Sequence, residues 1–214
     1  MQLQGYVGAP SNTSAADGTS PIVLQGKQAE LIVAELHGKY YTQAYRNNLF
    51  NGSTAIAGVT VPAYNTTGNV FGLWNPAGNT KNAVLVSLDI GLVSGALILS
   101  NWTLSQSLNA GSALATGGIS AFTSATPQGG NIGVSGGNSV RFTPSAATTL
   151  ASTFLMTLGM SYNTTTTVAN QLQTVHYDFD GKVIVPPNSA VWVTNNAASG
   201  GTFDLTLFWE ETPV

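Results

Sequence analysis

Residues 178–214 read DFDGKVIVPPNSAVWVTNNAASGGTFDLTLFWEETPV, and their final run alternates with a period of two. Phe203, Leu205, Leu207 and Trp209 fall on one face, while Asp204, Thr206 and Glu210 fall on the other. Aromatic and branched residues in such alternation specify a half-buried strand, with one face on a core and one toward water. Phe208 breaks the polar face, which predicts partial cover there, and Glu210 and Glu211, being adjacent, point to opposite faces if the strand runs that far. Two turn signals, Asp180-Gly181 and Pro186-Pro187-Asn188, separate the earlier strand-like runs of this block. The Asp-Gly pair predicts a tight primed turn with positive φ at both residues, hence a hairpin.

Working back from this block, strands are predicted at 57–63, 70–74, 81–90, 92–100, 102–108, 118–122, 139–142, 153–161, 171–179, 182–185, 190–194 and 202–210. Turn residues punctuate them at Asn51-Gly52, Asn75-Pro76, Gly129-Gly130 and Gly136-Gly137. Short strands at regular intervals, without a sustained amphipathic helix, predict an all-β jelly-roll β-sandwich rather than a βαβ architecture. The longest apolar region, 83–99, carries Asp89 and two glycines and falls short of the ~20 residues of a spanning helix. It reads as two packed strands bent near Gly91, so no membrane contact is expected.

The domain reading has three parts: an extended N-terminal arm with a first strand at 1–36, a tyrosine-rich connector at 37–53, and the sandwich at 54–214. Residues 1–26 are rich in Gly, Ser, Thr, Ala and Pro with a single charge, Asp17. They fit either a flexible tail or an arm that orders against a neighbouring subunit, burying Tyr6, Ile22, Val23 and Leu24. The connector holds the densest cluster of aromatics and cations, with Tyr40, Tyr41, Tyr45, Lys39 and Arg46. Tyr41 and Tyr45 share a face if this piece is helical. Either the tyrosines pack on the sandwich edge while the cations snorkel, or Tyr40, Tyr41, Tyr45 and Arg46 form an interface hot spot.

Composition narrows the function classes. Of 214 residues only 7% are charged, where about 25% is ordinary, while 43% are hydrophobic. The chain therefore buries a core, and its surface is dressed with Ser, Thr, Asn, Gln and Gly. Six Lys plus Arg against nine Asp plus Glu provide no basic cluster for phosphates, so nucleic acid is not an expected partner. Between Ile90 and Tyr177 the only charged residue is Arg141, which points to subunit contacts or an exposed tip in the glycine-rich span 109–143. The start, MQLQGYVGAP, has neither a basic leader nor an apolar run, so no secretory signal is expected.

Chemistry is sparse. No cysteine is present, which removes thiolate catalysis and thiol-ligated zinc. His176, Asp178 and Asp180 line up at i, i+2, i+4 of a strand, either as ligands for a divalent ion or as solvent-facing positions before a turn. Ligands drawn from one element alone favour the second reading. With no nucleophile elbow, Walker sequence or dinucleotide fingerprint, no enzyme activity and no cofactor are expected.

The stretches HGKYYTQAYRNNLFNGSTAIAGVTV (37–61), GLWNPAGNTKNAVLV (72–86) and FWEETPV (208–214) resemble virion proteins encoded among the head genes of tailed bacteriophages. The resemblance runs from His37 to the end, without a contribution from 101–170. It implies a single jelly roll with an N-terminal extension, acting as a head decoration or cement protein on the outer capsid surface of the virion after synthesis in the host cytoplasm. Its partners would be the major capsid protein and itself. The last strands also resemble trimeric jelly rolls of the tumour necrosis factor type, which implies a homotrimer. The contact residues expected are Tyr6, Ile22, Val23, Leu24, Tyr40, Tyr41, Tyr45, Arg46 and Phe208. The alternative is a receptor- or glycan-binding head of a phage tail or fibre, with Trp102, Trp192 or Tyr162 stacking on sugar rings.

Overall fold

The computed structural model describes residues 38–95, 99–108, 126–132, 137–148, 153–161, 174–197 and 200–214. Within the compact unit Tyr40–Val214 the elements are α1 (Tyr41–Tyr45), β1 (Leu49–Ser53), β2 (Gly68–Asn75), β3 (Lys81–Gly95), β4 (Ser100–Leu108) and β5 (Gln128–Gly129). They continue with β6 (Arg141–Thr148), β7 (Thr153–Ser161), β8 (Thr174–Asp178), β9 (Ile184–Val185), β10 (Ser189–Asn195) and β11 (Gly201–Pro213). Two antiparallel sheets form: one in the order β5-β1-β11-β3-β8 with β9 also on β3, the other β6-β2-β10-β4-β7.

The order has a simple origin. Outside the β4-to-β7 connection, the outermost strands pair first, β1 with β11, then β2 with β10, β3 with β8 and β9, and β4 with β7. That nesting is one long antiparallel ribbon folded at β4–β7 and rolled. The roll is closed where β11 meets β3 and β10 meets β4. The chain is therefore an all-β sandwich of jelly-roll type. The connection between β4 and β7 adds β5 beside β1 and β6 beside β2.

Packing follows the alternation. Phe203, Leu205, Leu207 and Trp209 enter the core with Leu85, Leu88 and Ile90 from β3, facing Leu73, Phe142, Val191 and Leu104 of the other sheet. Trp209 stacks between Phe50 at 5.9 Å and Phe142 at 5.8 Å, so one indole bridges both sheets. Gly72 lets β10 approach closely, since a Cβ there would lie 2.1 Å from the Val191 carbonyl oxygen. Glu211 continues the inward set and is only 1% exposed. Its carboxylate accepts the Ser139 N–H at 3.0 and 2.8 Å and the Val140 N–H at 3.0 Å, with Lys81 Nζ 3.5 Å away. Buried charge is tolerated because those donors replace water.

Several expectations need correction. Residues 57–63 form no strand and contribute two isolated bridges, Val59–Phe203 and Ala63–Asn195. The expected division into two strands near Gly91 is absent, because β3 runs continuously and β11 pairs along it. Gly91 instead makes room for Asp204, whose Oδ1 would lie 2.4 Å from a Cβ there. The connector's last five residues are β1, so the sandwich starts before residue 54. Asp180 and Gly181 do adopt positive φ, 48° and 75°, yet they make no hairpin. β8 and β9 both lie along β3, and the turn loops out between them. The arm with its first strand at 1–36 and the predicted strand at 118–122 lie outside the described residues.

Trp209→Ala should destabilise the fold by about 3–5 kcal/mol in denaturant titration, as expected for a large core aromatic. Trp209→Phe should cost clearly less, because among the described residues the buried indole N–H has no hydrogen-bond partner to lose. Equal costs would show that the stacking does not bridge the sheets. Glu211→Gln should cost about 2 kcal/mol, lowering the thermal midpoint by about 4–8 °C. An unchanged midpoint would show that the buried carboxylate does not tie the β6 entrance to β11.

Candidate functional site

Two surfaces present themselves, one on the outside of each sheet. The first is the outer face of the sheet containing β1, β11, β3 and β8. Phe208 sits there half-buried, with Asn51 and Ser87 as its cross-strand neighbours. One hydroxyl pair lies beside it, Ser53 with Thr206 at 2.9 Å, and a second, Ser94 with Thr202 at 2.7 Å, lies toward the far end of the β3–β11 pairing. Glu210 lies on the same face opposite Leu49, and partial burial raises its carboxyl above the ordinary range.

The helix α1 borders this face. Leu49, one residue from the core-facing Phe50, is turned to the outside and meets Gly130, which also sits against Ala44 of α1. A Cβ on Gly130 would lie 2.9 Å from Leu49 Cδ2 and 3.3 Å from Ala44 Cβ, so this corner is tightly packed. The two tyrosines of α1 then project side by side. Tyr41 and Tyr45 stack at 6.1 Å and remain 47% and 67% exposed. They share a helical face as predicted. Tyr40 is half-buried, its carbonyl accepting the Ala44 N–H at 2.9 Å, and Arg46 is exposed. Ala44 thus sets α1 beside Leu49 at the start of β1, and Phe208 lies on the outer face of the same sheet. Tyr6, Ile22, Val23 and Leu24 lie outside the described residues.

At the far edge of that face His176 pairs with Asp89, Nδ1 to Oδ1 at 2.6 Å. Asp178 Oδ1 accepts the Asp180 N–H at 3.2 Å, and Asp180 leaves the strand at the turn, so the sequence line His176, Asp178, Asp180 is broken. Among the described residues no group of three His, Cys, Asp or Glu is placed to hold a metal ion.

The second surface is the outer face of the β7 sheet. Trp102 and Trp192 are not available to a ligand there, being 1% and 2% exposed, and Tyr162 lies outside the described residues. Trp102 belongs to the core and packs edge-on to Phe203 at 4.7 Å. Instead, Tyr64, Asn101, Thr103, Phe154, Thr157 and Asn196 line a hollow of about 350 Å³. Sequence reasoning missed it because Phe154 occupies an ordinary strand position and all its companions but Thr157 come from three other segments.

Comparison with protein-family models, with curated proteins and with solved structures finds no match to this chain. Its own residues must therefore carry the functional reading.

The His176 imidazole is raised above 6.5, first by its hydrogen bond to Asp89, then by that carboxylate's charge, with a smaller contribution from Asp178. A raised value means that the pair stabilises the fold fully below pH 6.5, and that this contribution fades as pH climbs through the folded-state midpoint. Titration by NMR should place the His176 midpoint above 6.5, and Asp89→Asn should return it toward that value. An unchanged midpoint in Asp89→Asn would contradict the pairing.

Proposed function

We propose that this chain is a non-enzymatic virion structural protein, a capsid decoration or cement protein of tailed-phage type that docks on the outer head surface and holds coat subunits together. One observation carries the reading: the exposed, stacked Tyr41–Tyr45 pair bordering the outer sheet face on which Phe208 lies. Stacked rings are already ordered, so docking them against a partner costs little further side-chain entropy. Tyrosine and arginine are also the residue types that anchor protein interfaces, and Arg46 follows Tyr45 directly.

The sparse charge of the chain supports the same reading. A chain in which only 7% of residues are charged gains little from steering, so affinity would come from buried area and from many copies acting on one particle. Jelly rolls serve in viral capsids and also in lectins and cupins, so the fold supports the class by analogy alone. In this reading the protein acts as a homotrimer on the major capsid protein. Residues 1–36 supply the wrapping arm, a role assigned on sequence grounds. The alternative of a receptor-binding head loses two of its three nominated platforms, since Trp102 and Trp192 are buried, while Tyr162 lies outside the described residues.

Purified particles should carry the protein at a copy number comparable to the coat protein. Particles stripped of it should rebind the wild type, and Tyr41→Ser with Tyr45→Ser should weaken rebinding about thirtyfold without moving the thermal midpoint. Particles lacking the protein, or rebinding undiminished in the double variant, would contradict the reading.

A further inference from the structure

We propose that the hollow on the outer face of the β7 sheet binds a neutral pyranose sugar. The site is built from four segments. β7 supplies Phe154 and Thr157, and β4 supplies Asn101 and Thr103, with Phe154 paired to Ser105 and Thr157 to Thr103 in register. Tyr64 comes from the turn before β2 and Asn196 from the residue after β10; the Tyr64 N–H bonds the Asn195 carbonyl at 2.7 Å.

The chemistry of the lining selects the ligand. None of the six residues is charged, so phosphate, carboxylate and ammonium groups would be desolvated here without compensation. A purely apolar ligand would strand the carboxamides and hydroxyls. A pyranose presents an apolar C–H face and a rim of hydroxyls, each both donor and acceptor. Phe154, 52% exposed, offers a ring for the C–H face. Asn101, Asn196 and Thr157 offer donors and acceptors for the rim, while the buried Thr103 hydroxyl is bonded to Thr194 in the floor. A hollow of about 350 Å³ lies at the small end of the range for small-molecule sites.

The floor is fixed in advance. Asn196 Oδ1 accepts the Asn101 N–H at 2.8 Å, and the Asn196 N–H returns a bond to the Asn101 carbonyl at 3.1 Å, which leaves the Asn196 Nδ2 donors for a ligand. Behind them runs a buried hydroxyl chain: Thr194 Oγ1 meets Thr103 Oγ1 at 2.7 Å and Ser105 Oγ at 2.8 Å. A polar network so held keeps the first layer of contacts in place before the ligand arrives. The hollow and the tyrosine-bordered face lie on opposite sides of the sandwich. A particle-bound protein using the one would present the other outward.

The test uses the full chain in solution, with the methyl glycosides of glucose, galactose, mannose, rhamnose and N-acetylglucosamine as probes. Saturation-transfer NMR should show transfer to the ring C–H protons of at least one of them. Phe154→Ala should weaken that probe roughly tenfold, and Phe154→Trp should restore it. The half-exposed position predicts an unchanged fold, checked by the thermal midpoint. A trisaccharide of the positive sugar then separates the sources. Tighter binding than the monosaccharide assigns the site to a polysaccharide chain and equal binding to a free or terminal sugar, and either result supports it. No transfer to any probe, or transfer undiminished in Phe154→Ala, would overturn the proposal. No particle is present in this assay, so its failure leaves the docking proposal standing, and failure of docking leaves this one.

Discussion

The antiparallel pairing of β11 with β3 holds the rest of the structure in place. A rolled ribbon has two outermost strands, β1 and β11, which pair with each other but would leave the sandwich open. When β11 also pairs with β3 along its length, the outer ribbon pair joins the β3–β8 pair in one sheet. The pairing is not uniform. β3 carries an extra residue opposite the Phe208–Trp209 step, Val86, and another opposite Thr202–Phe203, Val93. The first of these bulges places the Asp-Gly turn, because the Val86 carbonyl accepts the N–H groups of both Phe179 and Asp180, at 2.8 and 3.1 Å. A bulge in a central strand thus sets where the edge chain must loop out.

Much of this was legible in the sequence, and the reasons can be given residue by residue. The alternation Phe203, Leu205, Leu207, Trp209 fixed the inner face, and carried one step further it put Glu211 inside. What it could not reveal was the partner of that carboxylate, since Ser139 and Val140 lie 72 and 71 residues away. Asn75 was read as a turn residue, and it is also a buried joint: its Nδ2 donates to the Lys81 carbonyl at 2.8 Å and the Val185 carbonyl at 2.9 Å. The Asp-Gly signal gave the correct backbone dihedrals and the wrong topology. Local turn chemistry specifies φ and ψ, whereas a hairpin also needs the flanking strands to prefer each other over a third. Residues 57–63 failed as a strand for a similar reason, because periodicity reports a half-buried run without reporting a free edge to pair with.

The candidate sites divide along the same line. Tyr41 and Tyr45 were visible because a helical spacing of four brings two rings together whatever the tertiary fold. Phe208 was visible as a violation of an otherwise polar face. The sugar-sized hollow was invisible, since Tyr64, Asn101, Phe154 and Asn196 meet only after β4, β7 and β10 are laid side by side. The tryptophans pointed the wrong way for an energetic reason: large aromatics contribute most when buried, and Trp102 and Trp192 are spent on the interior.

Native-state hydrogen exchange, followed amide by amide, tests the central role of the β11–β3 pairing most directly. The N–H groups of Phe203, Leu205 and Glu211 point to the β1 side, so the alternate amides of Asp204, Thr206 and Phe208 report the pairing with β3. These should exchange only through global unfolding, with the same denaturant dependence as the unfolding transition, while those of α1 and β5 should exchange by local opening. Exchange of the β11 amides ahead of those of β4 and β7 would contradict the account, because the seam would then open while the rest of the roll stayed folded.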